Sequence, residues 1–177
     1  MQFIQNQINR RTVLRGMTTG AAALSFGSVV AAQKSLAASS PEIEANKALV
    51  RRFYQGFSTG DFSIFMAILA PDWKDYPLAP GQQPGREGFE PVVKMFRTTF
   101  PDLTATNEDI LADGDKVMVR STIRGTHKGT FLGVPATGKE VSFGAMDIHQ
   151  VANGLIAETW HIVELVSVLF QIGGLNH

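Results

Sequence analysis

Cysteine is absent from all 177 residues. That excludes disulfides, thiolate nucleophiles and cysteine-based metal sites, so the fold must be held by its core alone. Histidine is scarce too, at four, with no His-x-His or His-Glu-x-x-His spacing, so no metal site is expected. Nothing resembles Gly-x-Ser-x-Gly. The glycines of "GTHKGTFLGVPATG" precede no helix, so they read as a loop and not as a phosphate cradle. Net charge is also missing, with 16 basic residues against 16 acidic. There is no basic stripe of the kind nucleic acid rewards, no internal repeat, and no apolar run long enough for a convincing membrane span.

What is present begins with an N-terminus that does not look like part of a fold. Asn9-Arg10-Arg11-Thr12-Val13-Leu14-Arg15 precedes the mild apolar stretch "GMTTGAAALSFGSVVAA" and the small residues "SLAASS". A basic start, an apolar middle and a small-residue end are the parts of an export signal. The arginine pair resembles a twin-arginine signal, with Val13 where that pattern most often has Phe, which implies a bacterial protein exported already folded. Residues 1–38 are expected to be removed, with cleavage near Ala37 or Ala38, and the product to be periplasmic or secreted without stable membrane insertion. The signal carries Arg10, Arg11, Arg15 and Lys34. Taking those four from the 16 basic residues leaves 12 against all 16 acidic ones, a net charge of about −4. Residues 39–177 are enough for one ordinary domain.

Within that domain the apolar period is helical at first. Ile43, Val50, Tyr54 and Phe57, widened by Leu49 and Phe53, predict a helix from Pro41 to Ser58, ended by Gly60. Asp61 caps a second short helix through Phe62, Phe65, Met66 and Leu69, stopped by Pro71. A third fits 87–100 and closes at Pro101. After Pro101 the period becomes two. Strands are predicted near 103–112, 116–127, 139–151 and 155–166, with a short one at Trp73–Tyr76. Helices followed by an antiparallel meander indicate an α+β fold.

Asn153-Gly154 is a strong hairpin signal. With those two residues as the turn, Asp147 faces Trp160, His149 faces Glu158 and Phe143 faces Glu164. One face then collects Phe143, Asp147, His149, Ile156, Glu158, Trp160, Ile162 and Glu164, and His161 falls on the other. Acids, an imidazole and an indole among apolar groups suit a closed pocket. Glu158, near the turn, reads as solvated. Asp147 and Glu164 are costly within an apolar face unless paired, bonded or protonated. They are either proton-transfer groups or structural partners of Arg120 or Arg124.

Gly125, His127, Gly129, Phe131, Gly133, Pro135, Thr137, Gly138 and Lys139, with Asn153, Gly154, Glu158, Trp160, Glu164, Gln171, Ile172 and Gly173, resemble the pattern of the SnoaL-like polyketide and ester cyclases. The resemblance runs over about residues 42–173. It implies a nuclear transport factor 2-like cone, in which a curved sheet wraps three helices around a pocket. In that family a pocket aspartate on the last strand is the general acid/base, and Glu164 matches its position with a longer arm. His149 matches a functional histidine on the preceding strand. Asp75-Tyr76 matches an Asp-His pair and lacks the histidine.

The chemistry implied is cofactor-free proton abstraction next to a carbonyl, as in aldol cyclisation, isomerisation or elimination. Glu164 would take the proton, while Asp147, His149 or Tyr76 would bond the enolate oxygen. Asp75, Trp160 and Phe143 would contact a flat apolar ligand. Two alternatives stand beside this reading: epoxide hydrolysis by the same acids, and a non-catalytic domain that binds a small ligand or dimerises. A homodimer is expected through the face holding Met146, Ile148, Ala157 and Val163.

Overall fold

A computed structural model describes residues 40–175; the segment read from the sequence as an export signal lies outside them. Helix α1 (Pro41–Thr59) starts at Ser40, whose side chain accepts the Ile43 N–H at 3.2 Å, and stops at Gly60 in the left-handed region, φ 72°. Its inner face buries Val50, Phe53 and Tyr54. Gly56 is needed where α2 (Phe62–Ile68) crosses, because a Cβ there would stand 2.7 Å from the Phe65 ring. Asp61 caps α2 by accepting the Ser63 N–H at 3.0 Å. A 3-10 turn (Arg86–Phe89) leads into α3 (Glu90–Thr99).

Five strands form one sheet: β1 (Leu69–Tyr76), β2 (Thr104–Asp113), β3 (Lys116–Thr126), β4 (Glu140–Ala152) and β5 (Leu155–Val163). Their order is β1-β5-β4-β3-β2, antiparallel except that β1 runs parallel to β5. The helices lie on the inner face, as an α+β fold requires. One apolar cluster gathers Phe53, Phe65, Trp73, Phe89 and Val119; a second gathers Phe100, Phe131, Phe143, Val168 and Ile172. Among the described residues no helix is long and apolar enough to cross a membrane.

Two sequence-based expectations are corrected. The last strand ends at Val163 and not near 166, and Leu165–Ile172 form helix α4, capped by Gly173 at φ 84°. Leu165, Val168, Leu169 and Ile172 carry helical spacing, which the β-branched residues around them disguised. The hairpin register also slips. Ala152 faces Leu155 and Val151 faces Ile156 as expected, but then Gln150 faces Glu158, His149 faces Thr159 and Asp147 faces His161. Ala157 is the extra residue of a β-bulge. Two neighbouring residues then oppose one, and every later side chain of β5 turns to the other face. The bulge buries Ile156 and still leaves Glu158 outside, paired with Lys74 at 2.8 Å. A regular strand would have carried Ile156 and Glu158 to the same side.

Candidate active site

The concave side of the sheet and helices α1 and α3 enclose a cavity of about 500 Å³. Its wall is largely apolar, with Phe57, Val92, Phe96, Leu103 and Ile123 among the lining residues. The polar exceptions gather mainly at one end. Asp147 on β4 lines it, 7% exposed, directly across the strand pair from His161 on β5. Asp75, at the end of β1, lines it too. On the neighbouring strand β3, two residues along from Val119, which faces Asp147, the buried Ser121 hydroxyl has no hydrogen-bond partner among the described residues.

These groups are fixed by their neighbours. Tyr54 of α1 donates its hydroxyl to Asp147 Oδ2 at 2.8 Å and lies 3.1 Å from His149 Nε2. His161 Nε2 lies 3.2 Å from Asp75 Oδ1 and 3.1 Å from the Pro77 carbonyl oxygen. Both neighbours only accept, so Nε2 carries a proton and Nδ1 is left without a partner among the described residues. Gln82 holds the other Asp75 oxygen by donating from Nε2 at 3.0 Å, while its own Oε1 accepts the Ala79 N–H at 2.9 Å.

Burial pushes the Asp147 carboxyl up to about 6, against the Tyr54 hydrogen bond and the His161 charge, which pull it down; the Asp75 charge adds to the rise. Burial pulls His161 down, but the Asp75 hydrogen bond and charge, helped by Asp147 and the Pro77 carbonyl, outweigh it and raise its pKa. Burial holds His149 down at about 3, as the neutral ring. Tyr54 is pushed well above its ordinary value by burial and by Asp147. This leaves a carboxyl poised near 6 and an imidazole biased toward its protonated form facing one apolar space, two groups whose environments suit opposite proton-transfer roles.

The sequence-predicted residues divide accordingly. Asp147 and Asp75 reach the cavity. His149 faces inward but sits behind Tyr54, fully buried, and does not line it. Phe143 also faces inward, within the second apolar cluster and away from the lining. Trp160 and Tyr76 are on the outer face, stacked at 5.7 Å and 15°, with Lys116 Nζ 5.7 Å from the indole. Glu164 is exposed at the start of α4, where its Oε2 accepts the Gly144 N–H at 2.9 Å. It is outside the cavity, and the paired-acid pocket read from the regular register does not form. Arg120, offered as a partner for these acids, bonds Asp109 at 2.7 Å instead. His149 and His161 share a face rather than opposing ones. Glu164→Gln, which keeps an acceptor for Gly144, is expected to leave any turnover within about threefold of wild type and stability within about 1 kcal/mol. Steady-state rates and urea denaturation check both.

Sequence reasoning missed His161, Tyr54, Thr159 and Gln82. The one available signal was Glu158, a charge in phase with the apolar Ile156, which marks a break in alternation.

No curated protein matches this chain. Solved structures do. TsrD of Streptomyces laurentii is 30% identical with a TM-score of 0.69, over 75% of this chain and 97% of its own. IdmH of Streptomyces antibioticus, described as a candidate polyketide cyclase, is 34% identical with a TM-score of 0.64, over 72% and 98%. A candidate polyketide cyclase of Bacillus cereus is 28% identical with a TM-score of 0.70, over 80% and 89%. The sequence profile of the SnoaL-like polyketide cyclases matches residues 48–172. With that profile covering most of the folded domain, and TsrD and IdmH matched over almost their whole length, this chain belongs to the SnoaL-like polyketide cyclase family.

Proposed function

We propose that the cavity binds a small, largely apolar carbonyl compound and that Asp147 transfers a proton next to its carbonyl. The observation that carries this is the placement of Asp147: a buried carboxyl, poised near 6, on the wall of an apolar cavity and opposite an imidazole that Asp75 biases toward its protonated form. In the forward step the C–H bond beside the carbonyl breaks. Its proton goes to the Asp147 carboxylate, its electron pair forms the enolate C=C bond, and the former C=O pair moves to oxygen. His161, held by Asp75 through Nε2, donates from Nδ1 to that oxygen. Aldol cyclisation, isomerisation and elimination all begin this way.

The test is a screen of small ketones and esters in deuterated buffer, read by mass spectrometry. Enzyme-dependent deuterium uptake beside the carbonyl, lost in Asp147→Asn, supports the reading. Uptake equal in the two proteins across the panel refutes it.

We propose further that the protein is a homodimer paired through the outer sheet face. Met118, Ile148, Trp160 and Tyr76 form one register row across four strands, with Met146 and Ile162 in the next. The bulge adds Trp160 and Ile162 to this face, with Ile162 also bordering the cavity, and removes Val163, which now sits opposite the buried Ala145. The row on the other side reads Lys116, Gln150, Glu158, Lys74, so a two-fold copy can set cations against anions. Met146→Glu with Ile162→Lys is expected to give a monomer by light scattering. A wild-type chain that is monomeric at micromolar concentration removes the proposal.

The Arg10-Arg11 segment supports export of the folded protein. Replacing both by Lys is expected to leave the full-length chain in the cytoplasmic fraction.

A further inference from the structure

We propose that Trp73 and Thr159 are positioning residues: they fix the direction of a hydrogen-bond chain that ends on Asp147, and so confine proton exchange at that carboxylate to Oδ1. This rests on the acid/base reading of Asp147 given above.

The chain starts at a group with no choice. An indole N–H only donates, and Trp73 Nε1 lies 3.0 Å from Thr159 Oγ1. Thr159 Oγ1 lies 3.0 Å from His149 Nδ1, His149 Nε2 lies 3.1 Å from Tyr54 Oη, and Tyr54 Oη lies 2.8 Å from Asp147 Oδ2. The ionised carboxylate at the far end only accepts. Tyr54, with one proton, must give it to Oδ2 and must accept from His149 Nε2–H. The neutral ring then presents a bare Nδ1, which accepts the Thr159 hydroxyl proton. Thr159 in turn accepts from Trp73. Every donor and acceptor is used, and the arrangement is unique.

The opposite direction fails at its other end. If Asp147 carried a proton on Oδ2 and passed it toward Tyr54, His149 would turn into the Nδ1–H form and donate to Thr159. Thr159 would then receive two donors, and its own proton would face no acceptor among the described residues. Thr159 borders the cavity, yet it is only 1% exposed, and Trp73 and His149 are as deeply buried, so water has little access to that proton. An orphaned buried donor is strongly disfavoured. A proton arriving at Asp147 therefore settles on Oδ1, which has no hydrogen-bond partner among the described residues. Asp75 and His161, the other charged groups facing Asp147, act on it through charge and do not join the chain. The inner wall of the sheet thus keeps one carboxylate oxygen as an acceptor and leaves the other for exchange.

The test reads the ligand-free, full-length protein labelled with 15N-histidine and 13C-aspartate. In wild type, His149 is expected to stay in the Nε2–H form from about pH 5 to 8, with a pyridine-like Nδ1 shift. An Nδ1–H form there overturns the proposal and requires no variant. Thr159→Val keeps the shape and removes the hydroxyl. It is expected to abolish the single tautomer and to move the Asp147 midpoint upward as the Tyr54 donor is lost part of the time, while Thr159→Ser restores both. A Val variant that keeps the wild-type tautomer and midpoint overturns the positioning role. If Thr159→Val does not fold, Trp73→Phe, which removes the fixed donor, is expected to populate the Nδ1–H form, and an unchanged tautomer overturns the proposal. Because these readouts need no substrate, a correct tautomer without deuterium uptake from any carbonyl compound would remove the catalytic proposal and leave the chain's direction standing.

Discussion

Asp147→Asn is expected to lower proton-transfer turnover by about 10²- to 10⁴-fold and, in the same protein, to raise stability at pH 7.5. The second effect follows from the first residue's environment. A carboxyl held at about 6 instead of its ordinary 3.8 binds its proton more tightly in the folded state than in the unfolded one. The stabilisation that this confers is complete below about pH 4 and is lost as pH rises through 6. Above that the fold carries a buried charge at a cost of up to about 3 kcal/mol. Asn carries no charge and still offers Tyr54 an oxygen. Urea denaturation should therefore show the variant ahead of wild type at pH 7.5 and level with it at pH 4. An equal gap at both values would show that the charge is not the cause. The wild-type rate should be bell-shaped in pH, with an acid limb near 6 from Asp147 and an alkaline limb from His161, whose pKa is raised. A flat profile across that acid limb would remove Asp147 as the base.

Phe53→Ala carries the largest structural effect expected, a loss of about 3–5 kcal/mol. Phe53 is 5% exposed and its ring meets those of Tyr54, Phe57, Phe65, Phe89 and His149, with centroids 4.9 to 5.8 Å apart. It joins α1 to α2, to the 3-10 turn and to β4 at once, so few neighbours are free to close the void. The loss is a large share of the stability of an ordinary domain. The cavity that Phe53 helps to line should also lose definition, so ligand affinity falls along with the thermal midpoint. A thermal midpoint within a few degrees of wild type would show that the aromatic cluster is redundant.

The fold was legible because its signals repeat. Three helical stripes, the period change after Pro101 and the Asn-Gly turn each extend over many residues, and each agrees with the rest. Asn153 and Gly154 do adopt positive φ, 51° and 74°. The site was legible only in part. Asp147 could be picked out because a mid-strand carboxylate among apolar neighbours demands an explanation. The partners of that carboxylate could not, for two physical reasons. A single bulge residue, Ala157, inverts the facing of everything after it, and it leaves no turn or breaker of its own in the sequence. Tyr54 and Trp73 look like ordinary core aromatics in their own elements, and their polar atoms acquire meaning only where α1 and β1 meet β4 and β5. Glu164 was misassigned for a related reason, since Leu165–Ile172 is apolar enough to pass for the continuation of a strand.

Strand β1 pairs with β5 across some of the longest sequence separations in the chain, Tyr76 against Trp160, whereas β2 through β5 pair in succession with neighbours along the sequence. Closing so long a loop is entropically slow compared with zipping adjacent hairpins. The four-stranded meander is therefore expected to set first during folding, with β1 docking onto it late. Asp75 arrives with β1, so the imidazole of His161 acquires its carboxylate partner only as the last edge of the sheet is sealed. An assembly that stalls before that point would leave His161 without the carboxylate that raises its pKa.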